Sequence, residues 1–199
     1  MAKKPHILIF NPDQWRGDVL GHMGNDAALT PVLDEFARTD AVSFSNAYCQ
    51  NPVCTPSRCS FMSGWYPHVR GHRTMFHMMQ PDEPVLLRTL KENGYFVWWG
   101  GKNDLVPAQH GFDDYCTVKY SPPDDPDRPL HPNLHTYDEW RGDPHNDNYY
   151  SFFGGRIDKY EGEDYAYDGD WAMVEGAVDM ISNCQPDADD PLCIYLPLG

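Results

Sequence analysis

Basic residues are scarce in this sequence. Its 199 residues hold 15 Lys and Arg against 30 Asp and Glu, a formal net charge of −15. Such a chain lacks the cations that neutralise nucleic-acid phosphates, so no nucleic-acid partner is expected. Long apolar runs are missing too. No stretch approaches the ~20 apolar residues of a membrane-spanning helix, and no membrane association is expected. The first apolar run, Ile7 to Phe10, gives way at once to Asn11 and Pro12, and a secretory signal needs a longer one. The six cysteines form no CxxC pair and no zinc-ligand spacing. Without a signal sequence, the expectation is a cytoplasmic protein with reduced thiols. Internal repeats and low-complexity tracts are likewise absent.

What is present suits a globular core. Apolar residues make up 41% and charged residues 23% of the chain, close to ordinary proportions. His6–Phe10 reads as a buried strand ending in an Asn-Pro-Asp loop. Thr30-Pro31 reads as an N-cap with proline in the first turn, with Val32, Leu33, Phe36 and Ala37 as the apolar face. A second helix is expected from Thr55-Pro56, and a third over 85–93 that stops at Gly94. Residues 95–99, Tyr-Phe-Val-Trp-Trp, form a strong strand pattern ending at Gly100-Gly101. The segment 118–170 carries thirteen acidic residues, five basic residues and ten aromatics without a sustained period, and is read as a long loop insertion. A helix with Trp171, Val174, Val178 and Ile181 on one face follows, then a buried strand over 192–196. Strand–helix alternation of this kind predicts an α/β fold around a mostly parallel sheet. The chain stops just after an apparent central strand, so it reads as the N-terminal part of a longer domain spanning 1–199.

Three stretches carry chemistry, each beyond a strand or opening a helix. Asp13-Gln14 offers a carboxylate and an amide oxygen, donors that suit a hard cation; Asp after a strand is also a common turn former. Cys54-Thr55-Pro56-Ser57-Arg58 puts a cysteine at the positive end of a helix dipole with Arg58 one turn away, where an anion would be stabilised. A lone cysteine is equally often an inert small hydrophobe. Gly100-Gly101-Lys102 permits close backbone approach and offers a cation, or is a solvated turn. The basic stretch His68–Arg73 attracts an anionic substrate, or is a loop paired with nearby acids. His77, Met78 and Met79 read as packing.

Together these motifs resemble the sulfatases, the formylglycine-dependent branch of the alkaline phosphatase superfamily. The Cys-x-Pro-Ser-Arg signature is intact from Cys54 to Arg58. Around it, in the family's order, stand His6–Phe10 with Asp13-Gln14, Thr30-Pro31-Val-Leu-Asp, Phe44–Tyr48, Ser63–Pro67, Gly101-Lys102, Gly111-Phe112-Asp113 and Ile194–Pro197. The resemblance covers nearly the whole chain and implies an alkaline-phosphatase-like fold with sulfuric ester hydrolase activity. It further implies a small anionic sulfate-ester substrate and a divalent metal, with calcium as the expected ion. Cys54 would be converted to formylglycine by a formylglycine-generating or anaerobic sulfatase-maturing enzyme. One hydroxyl of the hydrated aldehyde then attacks sulfur, and the other expels sulfate. Asp13, Gln14 and Cys54 are the implied metal residues, and Cys54, Arg58 and Lys102 the implied catalytic ones.

The pattern departs from the family at two places. Many members have His two residues after the lysine, where this chain has Asp104. The family's second metal pair comes from a late strand; Asp147-Asn148 has the letters without a preceding apolar strand and reads as a decoy. Phosphonate monoester or phosphodiester hydrolysis fits the same motifs, and a non-catalytic sulfatase-like binding protein is a further alternative.

Overall fold

The computed structural model describes residues 4–130, 143, 145, 167–183 and 191–199. Among them, four strands form one sheet, all pairs parallel. Strand β1 spans Ile7–Asn11, β2 Phe96–Trp99, β3 Val118–Lys119 and β4 Leu192–Pro197, in the order β1-β4-β2-β3. Ile7 registers with Cys193, Phe96 with Leu192, and Trp98 with Val118. Helices α1 (Pro31–Thr39), α2 (Cys54–Ser63), α3 (Leu86–Glu92) and α4 (Gly169–Asn183) complete the regular elements. Parallel strands need crossover connections, which these helices and loops supply.

β4 is central and buried at all six positions, as a continuous apolar run in a parallel sheet should be. The sheet separates two cores. One gathers Cys59, Met62, Met79, Leu87, Val97, Trp99, Cys193 and Tyr195; the other joins Trp98, Ile194 and Leu196 to Ala177 of α4. Met79 thus packs as expected, fully buried. α3 ends where Gly94 takes a left-handed φ of 80°, a conformation that costs glycine little.

Four expectations need correction. β1 is not fully buried: Ile7, Ile9 and Asn11 are half-buried, whereas Leu8 and Phe10 are 58% and 47% exposed. α1 forms as expected, but its apolar residues are not covered: Val32, Leu33 and Phe36 are exposed. Thr30 makes no capping bond; its hydroxyl donates to Asp34 and accepts from the Gly21 amide. α4 turns a different face inward. Ala172, Gly176 and Ala177 are buried, while Trp171, Val178 and Ile181 are exposed. The reason is steric: a Cβ on Gly176 would lie 2.3 Å from the Tyr120 ring, so that ring selects the small-residue face.

The segment 118–170 is not loop throughout, since β3 opens it and α4 begins at Gly169. Most of the remainder, including Trp140, Asp147-Asn148 and Tyr150, lies outside the described residues.

Candidate active site

The carboxyl ends of β1, β4 and β2 lie side by side, and ligands in α/β sheets bind beyond such ends. The Leu198 amide donates to Asn11 O at 3.1 Å and the Asp13 amide to Leu198 O at 3.2 Å, which ties the loop after β1 to the end of β4. On the other side the Lys102 amide donates to Pro197 O at 2.9 Å. Asp13 and Lys102, 89 residues apart, are therefore held across the end of one central strand. Gly101 makes this possible: its φ is +78°, and a Cβ there would meet the Pro197 carbonyl oxygen at 2.0 Å.

Cys54 is the first residue of α2, after Val53 in an extended conformation. Its Sγ donates to Asp13, 3.3 Å from Oδ1 and 3.2 Å from Oδ2. Lys102 Nζ forms an ion pair with Asp13 and lies 3.6 Å from Cys54 Sγ. Arg58, one turn into α2 and only 3% exposed, brings a nitrogen to 3.8 Å from Asp13 Oδ2. Asp13, Cys54, Arg58 and Lys102 thus form one cluster, beside a cavity of about 590 Å³ that Gln14 also lines. Gln14 itself is exposed, with a left-handed φ of 51°.

The electrostatics correct one expectation. A helix N-terminus and Arg58 would favour a thiolate, yet burial and the Asp13 carboxylate push the Cys54 thiol above its usual range. For Asp13, burial alone would raise the pKa. Hydrogen bonds from Lys102 and Cys54, with the charges of Lys102 and Arg58, outweigh it and hold the carboxyl below its ordinary value. Burial would likewise depress Lys102, but contacts with Asp13 and Asp104 drive it upward. Burial and the Asp13 carboxylate raise Cys54, the Asp13 and Asp104 carboxylates raise Lys102, and neighbouring hydrogen bonds and cations lower Asp13.

Sequence reasoning missed Tyr195 and Asp170. Tyr195 is fully buried on β4, and Arg58 donates to its hydroxyl at 3.5 Å. Burial raises that phenol to about 12. Asp170, in the first turn of α4, accepts from the Gly199 amide at 3.0 Å, and burial raises its carboxyl. An apolar strand pattern gives no signal for the first, nor an acidic helix start for the second. The basic stretch, in contrast, is occupied by its own acids. Arg70 pairs with Asp82 at 3.0 Å and Glu83 at 3.2 Å, and buried His72 lies 3.0 Å from Glu83.

Two of the three donors here, the carboxylates, suit a hard cation; the thiol sulfur does not. Asp13 Oδ, Asp104 Oδ and Cys54 Sγ lie within 4.8 Å of one another. Two buried oxygens, Asn11 Oδ1 and Asp104 Oδ2, make no well-aligned hydrogen bond. The Lys102 ammonium already reaches both Asp13 and Asp104, the latter at 3.1 Å.

The sulfatase family model matches residues 5–198, and the chain belongs to that family. An ulvan-active sulfatase of Formosa agariphila is 39% identical over 98 residues, 49% of this chain and 19% of the relative. A choline-sulfatase of Rhizobium meliloti is 33% identical over 123 residues, 61% of this chain and 24% of the relative. The chain thus spans about a fifth to a quarter of these relatives. Among solved structures, BT4656 in complex with its substrate D-glucosamine-2-N,6-O-disulfate superposes with a TM-score of 0.66 at 17% identity, covering 98% of this chain and 34% of that one. The phosphonate monoester hydrolase of Agrobacterium radiobacter gives 0.62 at 17% identity, with 98% and 40% coverage. These likenesses establish the alkaline-phosphatase-like α/β fold.

Proposed function

We propose that this chain carries the nucleophile half of a sulfatase site that hydrolyses a sulfate ester. The observation behind the proposal is the convergence of Asp13, Cys54, Arg58 and Lys102 on one cavity. In this reading the Cys54 thiol stands in for the hydrated aldehyde of formylglycine. The raised thiol makes unmodified Cys54 a poor nucleophile at neutral pH, which fits a role reached only after oxidation.

A hydrated aldehyde at position 54 would supply two hydroxyl groups on one carbon, one to bond to sulfur as the sulfur–alcohol bond breaks and the alcohol takes up a proton, the other to give up its proton as the carbonyl re-forms and sulfate leaves. Asp13 and Gln14, with the modified Cys54, would hold the divalent cation, calcium on family grounds. When bound, that cation supplies Lewis-acid stabilisation of the negative charge on oxygen. Arg58, fixed by burial and by Tyr195, orients the nucleophile beside Asp13. Lys102 places an ammonium where sulfuryl oxygens gain charge, and preorganised cations of this kind are worth most in the transition state. Trp15 and Phe61, both on the cavity wall and about 40% exposed, offer apolar surface to the alcohol half.

The test is production with a formylglycine-generating enzyme, mass spectrometry of the Cys54 peptide, and assays on matched aryl sulfate and phosphonate monoester substrates. Conversion of Cys54 with faster sulfate turnover supports the reading. Faster phosphonate turnover would place the chain with the phosphonate monoester hydrolases instead, and an unconverted Cys54 would remove the nucleophile.

A further inference from the structure

Asp104 is an unusual neighbour for an anion-binding site. It lies two residues after Lys102, and its side chain is only 18% exposed. Its backbone adopts a left-handed φ of 42°, sparsely populated by residues other than glycine, asparagine and aspartate. Its Oδ2 is buried without a well-aligned hydrogen bond, and the charge facing it is Lys102 Nζ at 3.1 Å. The same carboxyl group has an oxygen within 4.8 Å of Cys54 Sγ, the atom that marks the nucleophile. A carboxylate this close to the reacting centre cannot be neutral toward the charge of what binds there. Like charges in a partly desolvated site repel strongly, and the repulsion scales with the charge on the ligand.

We propose that Asp104 is a specificity-determining residue that selects singly charged esters and rejects dianionic phosphate monoesters. The inference rests on the sulfatase reading for the position of the substrate. A sulfate ester brings one negative charge beside Cys54 and Lys102. A phosphate monoester near pH 8 brings two and pays the repulsion from Asp104 twice. Lys102 can neutralise only part of this, because it also serves Asp13. The remainder falls on the more highly charged ligand.

The test compares the wild-type protein with Asp104→Asn and Asp104→Glu. Asparagine tolerates the left-handed backbone and keeps the side-chain shape, so the charge is the main change. Thermal melting confirms that each variant is folded. On formylglycine-bearing protein, the ratio of kcat/KM for phenyl phosphate to that for phenyl sulfate should rise about tenfold in Asp104→Asn and stay near wild type in Asp104→Glu. An unchanged ratio in Asp104→Asn would overturn the proposal. A Cys54→Ala background separates this outcome from that of the proposed function. Calorimetric binding of the two phenyl esters, without turnover, should show the same tenfold change in relative affinity. Unchanged relative affinity there, or loss of binding to both anions, overturns the role of Asp104. An inability of the formylglycine-bearing wild type to turn over aryl sulfate would count against the hydrolase reading alone.

Discussion

Gly101→Ala probes the backbone that carries Lys102 into the site. Gly101 has a φ of +78°, where an L-residue pays about 1–2 kcal/mol. Its new Cβ would also sit 2.0 Å from the Pro197 carbonyl oxygen, a backbone atom at the end of the central strand that cannot swing away. Relief requires a shift of about 1 Å or more, which stretches the 2.9 Å hydrogen bond from the Lys102 amide to the same oxygen and forfeits about 1 kcal/mol. The two terms sum to roughly 2–3 kcal/mol, and whatever contact strain is left unrelieved adds to them. Gly64→Ala is the control. It is left-handed, with φ 74° and ψ 9°, and nothing lies within 4 Å of the added methyl, so only the conformational cost of about 1–2 kcal/mol remains. Urea unfolding of the two variants should therefore differ by at least about 1 kcal/mol. The displaced Lys102 should also cost the folded Gly101→Ala protein about 100-fold in kcat/KM, the scale of a 1 Å misplacement. Equal stability losses in the two variants would refute the proposed contact between Gly101 and β4.

Other perturbations address the chemistry. Cys54→Ala should abolish sulfate-ester turnover without loss of fold, and Cys54→Ser should stop after at most one turnover, because its sulfate ester has no second hydroxyl to expel the product; sustained turnover by the serine variant would contradict the mechanism. Tyr195→Phe removes the hydroxyl to which buried Arg58 donates, and is expected to cost about 1 kcal/mol of stability and to lower kcat about tenfold, measured by urea melts and steady-state kinetics. Burial raises the pKa of Cys59 to about 12 and of Cys116 and Cys193 to about 11. At pH 8 a thiol-labelling time course should therefore modify exposed Cys49 while sparing these three. The same groups bind their protons more tightly folded than unfolded, as does Tyr195 at about 12. Their stabilisation is thus complete below pH 9 and lost between about pH 9 and 12, a decline that pH-dependent unfolding would reveal.

Sequence pattern located β1, β2 and β4 well because each is a short apolar run closed by Asn-Pro, Gly-Gly or Pro. It located the nucleophile because the Cys-x-Pro-Ser-Arg pattern is specific. Strand order was not legible: β4 enters between β1 and β2 through hydrogen bonds that no local pattern encodes. The inward face of α4 was misread for a related reason. Large apolar residues at helical spacing normally mark the core face, but here the Tyr120 ring requires Gly176 and its small neighbours. β3 is only two residues long, too short for alternation to register.

The misjudged acidity of Cys54 has the same origin and explains more. Local sequence offers the thiol a helix N-terminus and Arg58, both stabilising for an anion. The dominant neighbour comes from 41 residues earlier: Asp13 accepts the thiol hydrogen bond and, with burial, opposes its ionisation. The arrangement follows if the site is built around oxygens instead of a thiolate. Asp13 is kept ionised by Lys102 and Arg58, ready to serve a hard cation, and a hydroxyl at position 54 can donate to that carboxylate as the thiol does here. A site evolved for a cysteine nucleophile would place a base or a free cation against Sγ. Here the sulfur faces a carboxylate, and the lysine that approaches it at 3.6 Å is already shared between Asp13 and Asp104.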